Sequence, residues 1–181
     1  ALKLFCIGGA PLAADVEQFL HEARFPYAIG YGLTETSPLV VGTSPSTTRH
    51  QSAGKSLPGI NIRIDNPDPS NGEGEILVQG PTVMKGYYKD NARTEEVMTQ
   101  DGWLRTGDLG VVDEDGYVFV KGRLKNLILG PNGKNVYPEA IESVINEFEI
   151  VLESLVFQQN NQIAARVHLN YEELDRIFAG E

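Results

Sequence analysis

Tyr31-Gly32-Leu33-Thr34-Glu35-Thr36 follows a short apolar run, Tyr27 to Gly30, and joins a turn glycine, threonine hydroxyls and one carboxylate. Such a stretch suits a magnesium-nucleotide site. Glycine lets backbone approach a phosphate, threonine hydroxyls donate to phosphate oxygens, and a carboxylate holds the cation that neutralises them. The same residues also read as an ordinary turn with a Ser/Thr helix cap. Neighbouring segments decide between the two.

Upstream, Leu2 to Ile7 reads as a strand ending in Gly8-Gly9-Ala10-Pro11. Leu12, Val16, Phe19 and Leu20 then recur at helical spacing, with Asp15, Glu17 and Glu22 expected outside. With the second strand at Tyr27 to Gly30 this makes a βαβ-like order, in which ligands gather beyond the carboxyl ends of strands. The glycine turn and the hexapeptide are therefore expected at one crevice.

Downstream, short apolar runs at 60–64, 75–78, 110–112 and 117–120 alternate with turn clusters such as Asn71-Gly72 and Asp115-Gly116, which predicts a small antiparallel β subdomain over about 45–122. Asp113-Glu114-Asp115-Gly116 lacks the alternating acids and bidentate glutamate of a calcium loop and reads as a hairpin turn. After Arg123 come an apolar run at 127–129, the loop Gly130 to Asn135, and a helix with Pro138 in its first turn. Ala140, Ile141, Val144, Ile145 and Phe148 share one face of that helix. Strands at 152–157 and 163–167, joined by a polar turn, and a helix from about Tyr171 complete a second α+β region, which reads as incomplete. The fold class expected is α/β followed by α+β, divided at 1–124 and 125–181.

The chain has 181 residues, 41% of them hydrophobic, enough for one sizeable core or two small domains. Its formal net charge of -10 argues against a nucleic-acid backbone or an anionic membrane surface as partner. No run of about 18 apolar residues is present, so no integral membrane segment is expected. The single cysteine, Cys6, sits in the run Leu4-Phe5-Cys6-Ile7 and is expected to be a buried, inert thiol. It weakly favours a reducing compartment. The chain opens without methionine directly in a strand, which suggests a fragment.

Four segments in order carry a resemblance: Gly8-Gly9-Ala10-Pro11-Leu12, the hexapeptide at 31–36, Trp103-Leu104-Arg105-Thr106-Gly107-Asp108-Leu109-Gly110, and Gly122-Arg123-Leu124-Lys125 with Gly133-Lys134-Asn135-Val136-Tyr137-Pro138. With GEILVQGPTVMKGYYKD at 74–90, this set resembles the adenylate-forming superfamily of acyl-CoA synthetases, luciferases and peptide-synthetase adenylation domains. The resemblance covers essentially the whole chain. It implies the end of the large domain followed by the start of the small one.

The resemblance also implies roles. The backbone of Gly8, Gly9 and Ala10 would pack on one face of adenine and Tyr31 on the other, with Gly32 in the turn. Thr34 would contact the α-phosphate, Glu35 would bind Mg2+, Asp108 would accept the ribose hydroxyls and Arg123 would reach the nucleotide. Lys125 would be the hinge of small-domain rotation, and Gly133 would line the path of the CoA pantetheine. The implied substrates are ATP, CoA and a carboxylic acid, and the 80–88 and 133–138 stretches look most like those of long-chain fatty acid–CoA ligases. A cytoplasmic location is implied, with peripheral membrane association open for the full-length protein.

Asn126 stands where relatives often carry an acid, Leu129 where some carry a lysine, and Pro131 stiffens the loop before Gly133. Neither the Ser/Thr/Gly-rich phosphate loop nor the adenylation lysine of the superfamily is found in the 181 residues, so the chain alone is expected to be inactive. Three rivals remain open: a ligase for another carboxylate, an acyl-AMP ligase that loads a carrier protein, and a non-catalytic nucleotide- or protein-binding module.

Overall fold

A computed structural model describes residues 2–130 and 135–178. The chain forms two compact units, Ala1–Val120 and Lys121–Glu181. Unit 1 opens with strand β1 (Phe5–Gly8), helix α1 (Ala14–Glu22) and strand β2 (Tyr27–Tyr31), and β1 and β2 pair in parallel, Phe5 opposite Tyr27 and Gly8 opposite Gly30. Short strands β3 (Val41–Gly42) and β4 (Gly54–Ser56) follow. Then come β5 (Asn61–Asp65), β6 (Gly74–Gln79), helix α2 (Asn91–Val97), β7 (Leu104–Val112) and β8 (Tyr117–Arg123), whose last residues from Lys121 belong to unit 2. All eight strands are hydrogen-bonded into one sheet in the order β1-β2-β3-β4-β8-β7-β6-β5. The parallel strands that carry the glycine turn and the hexapeptide thus continue directly into the antiparallel ladder.

The core of unit 1 gathers Val40, Val41, Ala53, Ile60, Ile76, Val78 and Val118, with Tyr31, Leu57 and Val83 packed against it. Ile76, Leu77 and Val78 are buried in succession, so β6 is covered on both faces, as a continuous apolar run requires. The segment 113–116 is a hairpin turn. Asp113 Oδ1 accepts from the backbone N–H of Asp115 (3.0 Å) and Tyr117 (2.8 Å), and the Gly116 N–H donates to the Asp113 carbonyl.

Two expectations at the start of the chain are corrected. Cys6 is exposed, because neither face of β1 is covered by another layer among the described residues. Helix α1 buries Glu17 completely, whereas Phe19 is 66% exposed and Val16 is also exposed. Glu17 tolerates burial because it accepts from Gln51 N (2.8 Å), Gln51 Nε2 (2.8 Å) and Tyr27 Oη (3.3 Å), with His50 Nδ1 at 3.6 Å.

Unit 2 contains the antiparallel pair β9 (Ile128–Leu129) and β10 (Asn135–Val136), helix α3 (Pro138–Ile145), the hairpin β11 (Val151–Gln159) and β12 (Gln162–Leu169), and helix α4 (Tyr171–Phe178). Asn160 and Asn161 turn the hairpin with φ of 49° and 63°, the left-handed pair that a two-residue turn favours. Helix α3 packs on β11, where Glu142 Oε1 accepts from the Val156 N–H at 2.7 Å. Val144 and Phe148, expected on its apolar face, are exposed. No helix among the described residues is long and apolar enough to cross a membrane.

Candidate active site

The hexapeptide begins where β2 ends. The Val40 N–H donates to the Tyr31 carbonyl at 3.0 Å, so the chain leaves the sheet at Tyr31 and returns beside it at Val40. Such a tight loop leaves no room at Gly32: a Cβ there would lie 1.8 Å from the Pro38 carbonyl oxygen. Thr34–Thr36 form a single 3-10 turn. Its cap is Thr36, a fully buried residue whose hydroxyl accepts from the Leu33 N–H and donates to the Leu33 carbonyl, both at 2.9 Å. The capping reading of the motif and its nucleotide reading therefore fall on different threonines. Thr34 is exposed, and its hydroxyl makes no hydrogen bond among the described residues.

Glu35 is tied down at both ends. Its carbonyl accepts from the Met84 N–H at 2.7 Å, and its Oε1 accepts from the Tyr87 phenol at 2.8 Å. Oε2 has no hydrogen-bond donor among the described residues. The hydrogen bond to Glu35, and then burial, raise the Tyr87 phenol above its ordinary range, so it stays a protonated donor. Beside Glu35, Ser37 Oγ donates to the Thr82 carbonyl at 3.1 Å, which fixes the turn to the 80–88 segment a second time.

Asp108 comes from the other side of the sheet's sequence. Glu75 and Leu77 of β6 pair with Leu109 and Arg105 of β7, so two steps on one strand span four on the other, and Thr106-Gly107-Asp108 bulges out. Local bonds fix the bulge. Thr106 Oγ1 donates to the Ile76 carbonyl at 2.7 Å and accepts from the Asp108 N–H at 3.0 Å, while Glu75 Oε1 accepts from the Gly107 N–H at 3.1 Å. Arg105 bridges Glu75 (2.8 Å) and Asp65 (3.0 Å), and these two carboxylates raise its pKa. Asp108 is nearly buried, and its Oδ2 accepts from the Tyr31 phenol at 2.7 Å. Residues 77 apart in sequence meet there.

Unit 1 thus brings together Tyr31 and Asp108, with Gly32, Thr34 and Glu35 following Tyr31 directly. Gly8 stands opposite Gly30 at the carboxyl end of β1, one residue before Tyr31, and Gly9 and Ala10 follow it. This is the crevice position at the ends of parallel strands.

The AMP-binding enzyme family matches residues 1–88. A long-chain-fatty-acid–CoA ligase of Mycobacterium bovis, FadD15, is 38% identical over 149 residues, 82% of this chain and 24% of its own. A 2-succinylbenzoate–CoA ligase of Bacillus cytotoxicus is 37% identical over 172 residues, 92% of this chain and 35% of its own. The chain belongs to the adenylate-forming superfamily. Among solved structures, the O-succinylbenzoate–CoA synthetase of Bacillus subtilis with its acyl-adenylate intermediate matches with a TM-score of 0.83 and 31% identity, covering 99% of this chain and 40% of that one. The same enzyme with ATP and magnesium matches at a TM-score of 0.80 and 34% identity, covering 92% and 36%. The chain therefore spans about a quarter to two fifths of the length of these relatives.

A magnesium ion, which the Bacillus subtilis synthetase structure holds together with ATP, would fit the donor set around Glu35. Among the described residues no three His, Cys, Asp or Glu side chains gather into a metal cage. One carboxylate oxygen without a donor beside an exposed hydroxyl suits a cation held chiefly by substrate phosphates and water. In unit 2, Arg123 ends β8 and is exposed, and Lys125 sits exposed in a 3-10 turn, Leu124–Asn126. Asn126 Nδ2 donates to Glu139 Oε1 at 2.7 Å, a contact that an ionised carboxylate at position 126 could not make. Gly133 and Pro131 lie outside the described residues.

Three contributors were not assigned from sequence: Thr36 as the cap, the Thr106–Glu75–Arg105 group behind Asp108, and Tyr87. Tyr87 lies inside the matched stretch at 74–90, and that membership was its one signal.

Proposed function

We propose that this chain forms the adenine, ribose and α-phosphate side of the site of an ATP-dependent acid–CoA ligase, with a long-chain fatty acid as the acid. The observation that carries the proposal is the Tyr31–Asp108 contact next to Thr34 and Glu35, a flat ring, a ribose acceptor, a hydroxyl donor and a cation ligand on one turn and one bulge. The full reaction joins the acid carboxylate to the α-phosphorus of ATP with release of diphosphate. The CoA thiol then attacks the acyl carbon and AMP departs.

In this reading Gly8, Gly9 and Ala10 offer adenine a backbone surface without bulk, and Tyr31 stacks on its other face. Asp108 accepts the ribose hydroxyls. One of its oxygens is already held by Tyr31, and a carboxylate has lone pairs for both partners. The Thr34 hydroxyl donates to the α-phosphate as charge builds there, and Arg123 adds a positive charge to the nucleotide. Bound at Glu35, magnesium supplies charge neutralisation for the phosphates. Lys125 is the proposed hinge between a large domain ending at 124 and a small one from 125, and Gly133 the proposed CoA-lining glycine. The proposed location is the cytoplasm, where ATP and CoA are at hand.

Titration with AMP tests the nucleotide site. Asp108→Ala is expected to weaken AMP about tenfold or more, the loss of a charge-assisted hydrogen-bonded pair. Unchanged affinity would remove Asp108 from the ribose role. A second acid is favoured by a specific observation, since a 2-succinylbenzoate ligase is as similar as the fatty-acid ligases. Acyl-CoA formation by the full-length protein is expected with a long-chain fatty acid and not with 2-succinylbenzoate; the reverse would replace the substrate and leave the chemistry standing.

A further inference from the structure

We propose that Tyr87 is a positioning residue for the cation ligand Glu35, and that helix α2 exists in part to hold it there. The inference rests on the reading of Glu35 as the magnesium ligand. The backbone and ring of Tyr87 are held by the α2 region. Its backbone N–H donates to Thr94 Oγ1 at 2.9 Å, and its carbonyl accepts from the Asp90 N–H at 3.3 Å. Thr94 Oγ1 in turn donates to the Asp90 carbonyl at 2.8 Å, and Asp90 Oδ1 caps α2 by accepting from the Arg93 N–H at 3.0 Å. The Arg93 guanidinium lies 4.9 Å from the centre of the Tyr87 ring. The outcome of all these contacts is one hydroxyl placed 2.8 Å from Glu35 Oε1.

Helix α2 buries none of its own residues, so a purely packing role does not account for the density of bonds at its start. The Met84 N–H on the Glu35 carbonyl comes from the same segment. Backbone and carboxylate of Glu35 are therefore both oriented from 84–87. A phenol on Oε1 removes the carboxylate's freedom to rotate and leaves Oε2 for the cation. Outer-shell partners of this kind orient metal ligands, and their loss costs about 10–100-fold in metal affinity.

The test is calorimetric titration of the full-length protein with MgATP and, separately, with AMP in EDTA. Tyr87→Phe keeps the ring and removes the hydroxyl. It is expected to weaken MgATP about tenfold while AMP stays within twofold, and Glu35→Gln is expected to weaken MgATP at least as much. If Tyr87→Phe leaves MgATP unchanged while Glu35→Gln weakens it, the positioning role is wrong and the metal reading stands. Should Glu35→Gln itself change nothing, the metal reading fails and takes this inference with it. Equal weakening of MgATP and AMP by Tyr87→Phe would mean that the phenol supports the fold of the site generally, and would also overturn the proposal.

Discussion

Gly32→Ala is expected to lower the stability of unit 1 by about 3 kcal/mol or more and to abolish nucleotide binding with it. The added Cβ would stand 1.8 Å from the Pro38 carbonyl oxygen, 2.8 Å from its carbon and 3.0 Å from the Leu39 Cα. All three neighbours are backbone, so no side chain can rotate away. Relief requires opening the loop between Tyr31 and Val40, and that loop is closed by the Val40 N–H on the Tyr31 carbonyl and by the pairing of Tyr31 with Val41. Val40 and Val41 are fully buried core residues, so the strain passes straight into the packing. Gly9→Ala makes the matched control. Gly9 has φ +85°, and a Cβ there would meet nothing within 4 Å, so its cost is the left-handed conformation alone, about 1–2 kcal/mol. Denaturant unfolding of the two variants should separate them clearly. Equal midpoints for Gly32→Ala and the parent chain would show that the loop yields, and that the glycine is present for ligand approach only.

The order of elements was legible because apolar runs, alternating where one face of a strand is buried and continuous where both are, stand between clusters of turn residues. Strands at 60–64, 75–78 and 117–120 lie within or overlap β5, β6 and β8, and the polar turn read at 159–161 overlaps the Asn160-Asn161 turn between β11 and β12. Helix α2 was not legible for a physical reason: none of its residues is buried, so it carries no apolar stripe to read. The join of β2 through β3 and β4 to β8 was hidden by strands of two and three residues, too short to show alternation. The site residues in the hexapeptide and in Thr106-Gly107-Asp108 could be named because their chemistry is concentrated in short motifs. Their supports, Glu75, Arg105 and Tyr87, are ordinary residue types that act through tertiary contacts of 30 to 52 residues' separation. Periodicity also sorted Glu17 to the outside, since a pattern rule scores a carboxylate as polar whatever partners the fold brings to it.

Glu17→Ala is expected to destabilise unit 1 by about 3 kcal/mol, a large share of a typical domain's margin of about 5–15 kcal/mol. The carboxylate is fully buried and receives the backbone and side-chain N–H groups of Gln51 and the phenol of Tyr27. Gln51 stands at φ 60°, a strained conformation for a residue with a side chain, and it also reaches the Leu12 carbonyl at 3.3 Å. Removing the acceptor leaves the buried Tyr27 hydroxyl and the part-buried Gln51 N–H without this partner, and a buried group left unpaired costs about 1–3 kcal/mol. Glu17→Gln keeps one carbonyl acceptor and nearly the same volume, so it should fall between the parent and Glu17→Ala. Tyr27 adds a pH signature. Burial, above all, and the nearby Glu17 charge and hydrogen bond raise its pKa against the lowering effect of Thr48. A raised folded-state pKa means the folded protein holds the phenol proton more tightly, so stability is intact below about pH 10 and falls as pH rises further. Without Glu17 two of the raising contributions vanish, and the alkaline fall should become shallower. Thermal unfolding of the three proteins at neutral and alkaline pH measures both effects. An unchanged midpoint for Glu17→Ala at neutral pH would mean that water satisfies Gln51 and Tyr27 as well as the carboxylate does, and that burial of this acid contributes nothing to holding α1 against the 43–53 segment.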